Sequence, residues 1–320
     1  MRHRQAYLIL ALAAALLSAC TISEITSSKI SFAPVASKAT RAIITGTTYP
    51  DSVHFIVSAY HEGSVPYFED QEASYNSTID LWATAQDQYW PLGGTLTFKA
   101  FSPADISNAV AIDQTNGVTA TDYTIQNTTR MTTDFCYATA TVDDCSNHPE
   151  SVTLTFSHAL SQVVFRVKAA DYYNDATHSV SITLDSLKMN GIYSVGSFAD
   201  GTWTLDTDSE YSYRLSNTGT ALTYTSQVPD TLTLCEYLFV PQTLGANAAL
   251  SVGYSIDQTV NSTTFTFGNS PVTVPLRGTI TQWLPGRKYI YTLSVGLNNN
   301  ITFTATTTAW QDSGDSVVVE

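Results

Sequence analysis

The feature that most limits how this chain can fold is a period of two. Apolar residues alternate with polar ones in short runs: Val53, Phe55, Val57; Leu96, Phe98, Ala100; Val152, Leu154, Phe156, His158; Val163, Phe165, Val167; Val180, Ile182, Leu184; Val252, Tyr254, Ile256; Tyr289, Tyr291, Leu293, Val295; and Ile301, Phe303, Ala305. Successive side chains of an extended chain point to opposite faces, so each run describes a strand with one face buried. Turn-forming residues sit between the runs. Asn190-Gly191 and Asp200-Gly201 suit two-residue hairpins, whose central residues must accept positive φ, and Pro91 to Gly94 and Pro285-Gly286 mark further turns. The phase change between His158 and Val163 predicts a bend or bulge near Ala159. The segment 105–147, rich in Thr, Asn and Asp, predicts a long irregular crossing and a domain boundary near residue 150. Short strands with frequent turns favour packed antiparallel sheets over βαβ units. The expectation is therefore an all-β protein of two antiparallel β-sandwich domains in tandem, 42–150 and 151–320, for which 320 residues is a sufficient length.

The N-terminus reads as an address. Arg2 and Arg4 precede an apolar run from Tyr7 to Leu17, which ends in Leu17-Ser18-Ala19-Cys20. A run of about 11 residues is too short for a membrane-spanning helix, which needs about 20, and fits a signal peptide over 1–20. Its last four residues resemble a bacterial lipobox, which implies that Cys20 takes a lipid and becomes the new N-terminus, holding the protein to a membrane. Residues 21–41, rich in Ser, Thr and Ala with a single Pro34, read as a tether or loosely held leader strand. The net charge of −14 and only 14 Lys and Arg give no basic stripe for a phosphate backbone, which excludes nucleic acid as a partner.

Motifs for chemistry are scarce, and the chain reads as a non-enzyme without cofactor or metal. Gly191 to Gly196 comes nearest to a nucleophile elbow, but Ile192 stands where a glycine is needed. No phosphate-binding glycine loop occurs, and the histidines lack metal-protease spacing; His158 continues an apolar face and reads as a core residue. Asp206-Thr-Asp208-Ser-Glu210 lacks the glycine and terminal glutamate of a calcium loop. An oxidising compartment would permit a bridge between Cys136 and Cys145, with independent thiols as the alternative, while Cys235 lies in an apolar stretch and reads as a buried hydrophobe. Trp82, Trp90, Trp203, Trp283 and Trp310 would stack on sugars if exposed, or pack in the core.

Seven segments in order carry a resemblance: the lipobox at Cys20; Thr40-Arg41-Ala42 to Gly46; Trp90 with Leu96 to Pro103; Val152 to Phe165; Leu238 to Gln242; Trp283 to Tyr291; and Ile301 to Trp310. Together they resemble the fimbrillin family of Bacteroidia-type bacteria, including the minor-fimbrillin-like surface lipoproteins. The resemblance implies transthyretin-like, Greek-key sandwiches in a subunit of type V fimbriae at the outer membrane and cell surface. Such subunits are trimmed by an arginine-specific protease and polymerise by donor-strand exchange with other fimbrial subunits. On this chain it places cleavage between Arg41 and Ala42. The short tail holds Val317, Val318 and Val319, whose β-propensity suits a donor strand. Adhesion to a host or bacterial surface glycan or protein would follow. The competing reading is a glycan-binding surface lipoprotein that stays anchored and uses exposed tryptophans; a secreted hydrolase with spatially assembled carboxylates is a third.

Overall fold

The structure, a computed structural model, describes residues 28–36, 49–169, 178–215, 220–222, 231–268, 271–295 and 301–309. The first strands in chain order are β1 (Phe32–Ala36), β2 (Phe55–His61), β3 (Val65–Asn76), β4 (Leu81–Thr84), β5 (Leu96–Ser102), β6 (Ala111–Asp113) and β7 (Gly117–Thr124). A short helix α1 (Thr128–Thr132) precedes β8 (Cys136–Val142), β9 (Val152–His158), β10 (Ser161–Ala169), β11 (His178–Tyr193), β12 (Val195–Ala199) and β13 (Thr202–Leu205). The remainder are β14 (Glu210–Arg214), β15 (Thr220–Leu222), β16 (Leu232–Phe239), β17 (Gln242–Thr243), β18 (Ala249–Val260), β19 (Thr263–Gly268), β20 (Val272–Pro275), β21 (Gln282–Trp283), β22 (Arg287–Val295) and β23 (Ile301–Ala309). Among the described residues no helix is long and apolar enough to cross a membrane.

The all-β expectation holds, but the first sheet system is a closed barrel rather than an open sandwich. Its strand order is β1-β4-β3-β2-β5-β8-β9, and β9 returns to β1. Two seams are thin. β1 meets β4 at the single pair Phe32 with Trp82, and β8 meets β9 only at Cys136 with His158 and Tyr137 with Ser157. Closure rests on β1, which runs parallel to β9 over five residue pairs from Phe32–Val152 to Ala36–Phe156. Without it, β4 and β9 would each present an unpaired edge. The barrel interior is aromatic: Phe32, Tyr49, Phe55, Phe98 and Phe156 are all buried.

The second sheet system holds a four-stranded sheet β16-β10-β22-β23, in which β10 and β22 are parallel, and a six-stranded sheet built on β14-β11-β18-β19 with β15 and β20 attached. Their inward residues share one core: Val163, Phe165 and Val167 from β10, Tyr291 and Leu293 from β22, and Ile182, Leu184 and Tyr254 from the facing sheet. A third sheet, β13-β12-β7-β6, buries Val118, Ala120 and Phe198 in the second core and meets the barrel where Phe198 packs against Tyr137 of β8. The chain changes cores more than once. Ile106 to Phe135 pack into the second core, Cys136 to Phe156 into the barrel, and Ala159 onward into the second core again.

Three local expectations are revised. The segment 105–147 is not an irregular crossing but carries β6, β7, α1 and β8. Its apolar signal is weak because β8 buries small side chains, Cys136 and Ala138, in place of large ones. At Ala159 the chain passes from β9 in the barrel to β10 in the second sheet system, so the phase flip marks a change of sheet. Asp200-Gly201 is a hairpin turn with φ of 38° and 94°, as its residues require. Asn190-Gly191 instead lies inside β11, where the register to β14 shifts between Met189 and Ile192. That is a bulge, with Gly191 at φ 69°.

Gly191 also permits a close approach. A Cβ there would stand 2.4 Å from the backbone carbon and oxygen of Asn247, and neither can rotate away. Gly191→Ala is therefore expected to lower stability by at least ~2 kcal/mol, from positive-φ strain and backbone overlap together. Urea unfolding of the variant against the parent measures it, with Gly201→Ala, which meets only the mobile end of Tyr137, as the milder comparison.

Candidate functional site

The N-terminal described segment, residues 28–36, lies in a slot of the barrel. Its first described residues run beside 88–90: Ile30 donates its N–H to Gln88 O at 2.7 Å, and Trp90 donates to Ser28 O at 3.1 Å. Lys29 forms an exposed ion pair with Asp87 at 2.6 Å, which contributes little in water. The chain then crosses to β9. Val152 donates to Ser31 O at 2.8 Å, Ser31 Oγ donates to Glu150 O at 3.1 Å, and the parallel ladder begins at Phe32.

Side-chain burial fixes the register. Ile30 and Ser31 are both buried, and from Phe32 onward burial alternates, with Phe32 and Pro34 buried and Ala33 and Val35 half-buried, so alternate residues of β1 point inward. Phe32 is fully buried, with edge-to-face contacts at 5.7 Å to both Phe55 and Phe98. Burying Ile30 and Phe32 is worth roughly 3–6 kcal/mol together. Pro34 has no N–H to give, which suits a strand that pairs with β4 only at Phe32 and is otherwise laddered on its β9 side. Cys20, Arg41 and Ala42 lie outside the described residues, as do Trp310 and Val317, Val318 and Val319. The chain returns at Tyr49, whose buried ring packs on Phe55, Trp82 and Phe156 and whose hydroxyl is 2.6 Å from Ser102 Oγ. Burial drives the Tyr49 phenol well above its usual range.

The bridge between Cys136 and Cys145 is not formed. All three described cysteines are free thiols, and the two residues lie at opposite ends of the β5–β8 ladder. Cys136 pairs with Ser102, whereas Cys145 bonds Gly94 O beyond the pair Leu96–Val142. The seven residues of β8 separate those ends by about 20 Å, several times the Cα spacing a disulfide allows. Burial raises all three thiols, Cys235 to about 12.

Of the two readings open for the tryptophans, packing holds for the described ones. Trp82, Trp90 and Trp283 are buried, with Trp90 stacked on His148 at 4.6 Å. Trp203 is half-buried and donates its indole N–H to Ala159 O at 2.6 Å. The acidic turn at 206–210 spends its carboxylate internally, since Asp206 accepts the N–H of Asp208 at 3.0 Å.

Sequence reading passed over one constellation. Asp134, Cys136 and His158 come together with His158 side chain fully buried and Asp134 nearly so. His158 Nδ1 lies 2.8 Å from Asp134 Oδ1 and 3.2 Å from Cys136 Sγ. A nucleophile relay would need thiol and carboxylate on opposite imidazole nitrogens. Here both address Nδ1, so the arrangement is not a catalytic triad. The pattern Asp134-x-Cys136 was the available signal, but its partner is on another strand.

Phe32→Ala, which empties the slot's central contact, is expected to cost about 3–5 kcal/mol in chemical unfolding. Alkylation of the denatured, unreduced chain is expected to label Cys136, Cys145 and Cys235 alike, while the native chain reacts slowly at all three; a Cys136–Cys145 bridge would leave those two unlabelled.

Comparison with known proteins agrees with this architecture. A family model described as fimbrillin-like matches residues 40–310. A solved fimbrial protein of Bacteroides vulgatus superposes with a TM-score of 0.63 at 17% identity, covering 89% of this chain and 100% of that one. A candidate cell adhesion protein of Bacteroides uniformis gives 0.54 at 15% identity, over 88% and 99% of the two chains, and one of Parabacteroides distasonis gives 0.52 at 11%, over 88% and 98%. At such identities the likeness is one of fold. No protein with a curated description matches in sequence. The match over residues 40–310 places this chain in the fimbrillin-like family.

Proposed function

We propose that the chain is a structural or adhesive subunit of a cell-surface fimbria. It is made as a lipoprotein on Cys20, cut between Arg41 and Ala42 at the outer membrane, and assembled by donor-strand exchange. The observation that carries this reading is the position of β1, which closes the barrel from the N-terminal side of Arg41. A cut at Arg41 severs β1 from the rest of the fold. Once β1 leaves, β9 loses its parallel partner and the apolar floor at Phe55 and Phe98 opens. An extended segment from another subunit, such as one containing Val317 to Val319, regains both ladder and burial there. While β1 stays in place, the slot is full and premature polymerisation is blocked. Fimbrillin-like membership and the fold shared with a fimbrial protein support a structural rather than enzymatic role. The anchored glycan-binding alternative loses its described tryptophan platforms to the core.

The test is the N-terminal residue and intact mass of material from the native cell surface. A start at Ala42 is expected. Recovery of lipidated Cys20 throughout would overturn the processing step and leave a permanently anchored protein.

A further inference from the structure

We propose that Asp134, Cys136 and His158 form a binding site for zinc, or a similar divalent transition metal, that staples the seam between β8 and β9. The inference stands independently of strand exchange. The ligand set is one carboxylate, one thiolate and one imidazole, and all three offer their atoms within 4.8 Å of one another. Cys136 and His158 are direct cross-strand neighbours in one of the two residue pairs that join β8 to β9. Neighbours of that kind hold their Cβ atoms about 5 Å apart, which suits two side chains sharing an ion. Asp134 enters from the chain just ahead of β8 and is 2% exposed.

The present contacts show why a cation fits. Two carboxylate oxygens and a thiol crowd the one nitrogen Nδ1: Asp134 Oδ1 at 2.8 Å, Oδ2 at 2.7 Å and Cys136 Sγ at 3.2 Å. Asp134 Oδ2, although that close, has no hydrogen-bond geometry to any neighbour and is buried. Around tetrahedral zinc, with bonds of about 2.0 Å to N or O and about 2.3 Å to S, the ligand atoms stand roughly 3.3–3.7 Å apart. The imidazole nitrogen thus needs to draw back from the carboxylate and the thiol by only about half an ångström. Sulfur and nitrogen among the ligands select zinc-like metals over calcium or magnesium, which prefer oxygen.

Charge also balances. On binding, the Cys136 S–H bond breaks, the proton goes to solvent, and a sulfur–metal bond forms. The imidazole coordinates through the Nδ1 lone pair with its hydrogen on Nε2. One thiolate and one carboxylate then cancel the two positive charges, so the buried site carries no net charge. Three protein ligands leave one tetrahedral position for water or a nearby hydroxyl. Because the site is enclosed, the ion is loaded as the chain folds. Its position has a structural consequence: His158 lies two residues beyond Phe156, the last β9 partner of β1, so the metal fixes the end of the strand that β1 covers.

The test uses the full chain as C20S/C145S/C235S, in which Cys136 is the sole thiol, stripped with chelator while unfolded and refolded with cobalt(II) or zinc(II) alone. One equivalent of cobalt is expected to bind with a thiolate-to-cobalt charge-transfer band. That band is expected to vanish in the further variant Cys136→Ala and to weaken in His158→Gln. Zinc at about 100 times its dissociation constant is expected to raise the melting temperature by roughly 5–10 °C. Absence of the band in the refolded, Cys136-only chain overturns the site, as does a band that survives Cys136→Ala. If Cys136→Ala does not fold, the Cys136-only chain decides the matter alone, because a sulfur band there has no other source.

Discussion

The parallel ladder between β1 and β9 is the interaction on which the rest of the barrel depends. Seven strands cannot close without it, since β4 and β9 have no other partners on those edges. The segment that closes the barrel is also short, five residues with a proline at its centre. Its hold combines that ladder with the burial of Phe32, and of Ile30 just ahead of it, among the rings of the interior. The strand that closes the barrel is also one that the sequence places upstream of Arg41.

The two seams beside β9 differ in kind. Toward β1 it has a five-pair ladder; toward β8 it has only two ladder pairs. The polar cluster of Asp134, Cys136 and His158 lies at the thin seam, where the chain twice crosses between the cores. Phe135 belongs to one core and Cys136 to the other, and Phe156 and Ala159 divide likewise. The third sheet meets the barrel beside this seam, where Phe198 packs edge-on against Tyr137 of β8. β9 is therefore anchored at one end independently of whether β1 is present.

Much of the fold was legible in the residues. β5, β9, β11, β18 and β22 announce themselves because large apolar side chains alternate on a single buried face. β8 did not, because its buried positions hold a cysteine and alanines; the same period is present with little contrast. Asn190-Gly191 misled because positive φ serves a bulge as well as a turn, and only the pairing partner Tyr211 to Tyr213 distinguishes them. Closure of the barrel was hidden for a different reason. Nothing within Phe32-Ala-Pro-Val-Ala36 states that its partner lies 120 residues onward at Val152. The candidate site shows the same limit, since Asp134, Cys136 and His158 become a cluster only when β8 and β9 pair. The family resemblance supplied the one non-local expectation, that the leader preceding Arg41 matters, and the position of β1 gives that expectation a physical basis.

The central claim is that β1 alone protects the open edge of β9, and hydrogen exchange measures it most directly. The chain is cut at Arg41 by an arginine-specific protease, the segment before the cut is removed, and exchange at the β9 amides that face β1, those of Val152, Leu154 and Phe156, is compared with the uncut protein. The account predicts that these amides lose protection in the cut monomer and regain it in strand-exchanged oligomers, while β5 and β22 stay protected throughout. A leader-free monomer whose β9 amides exchange as slowly as before would contradict it.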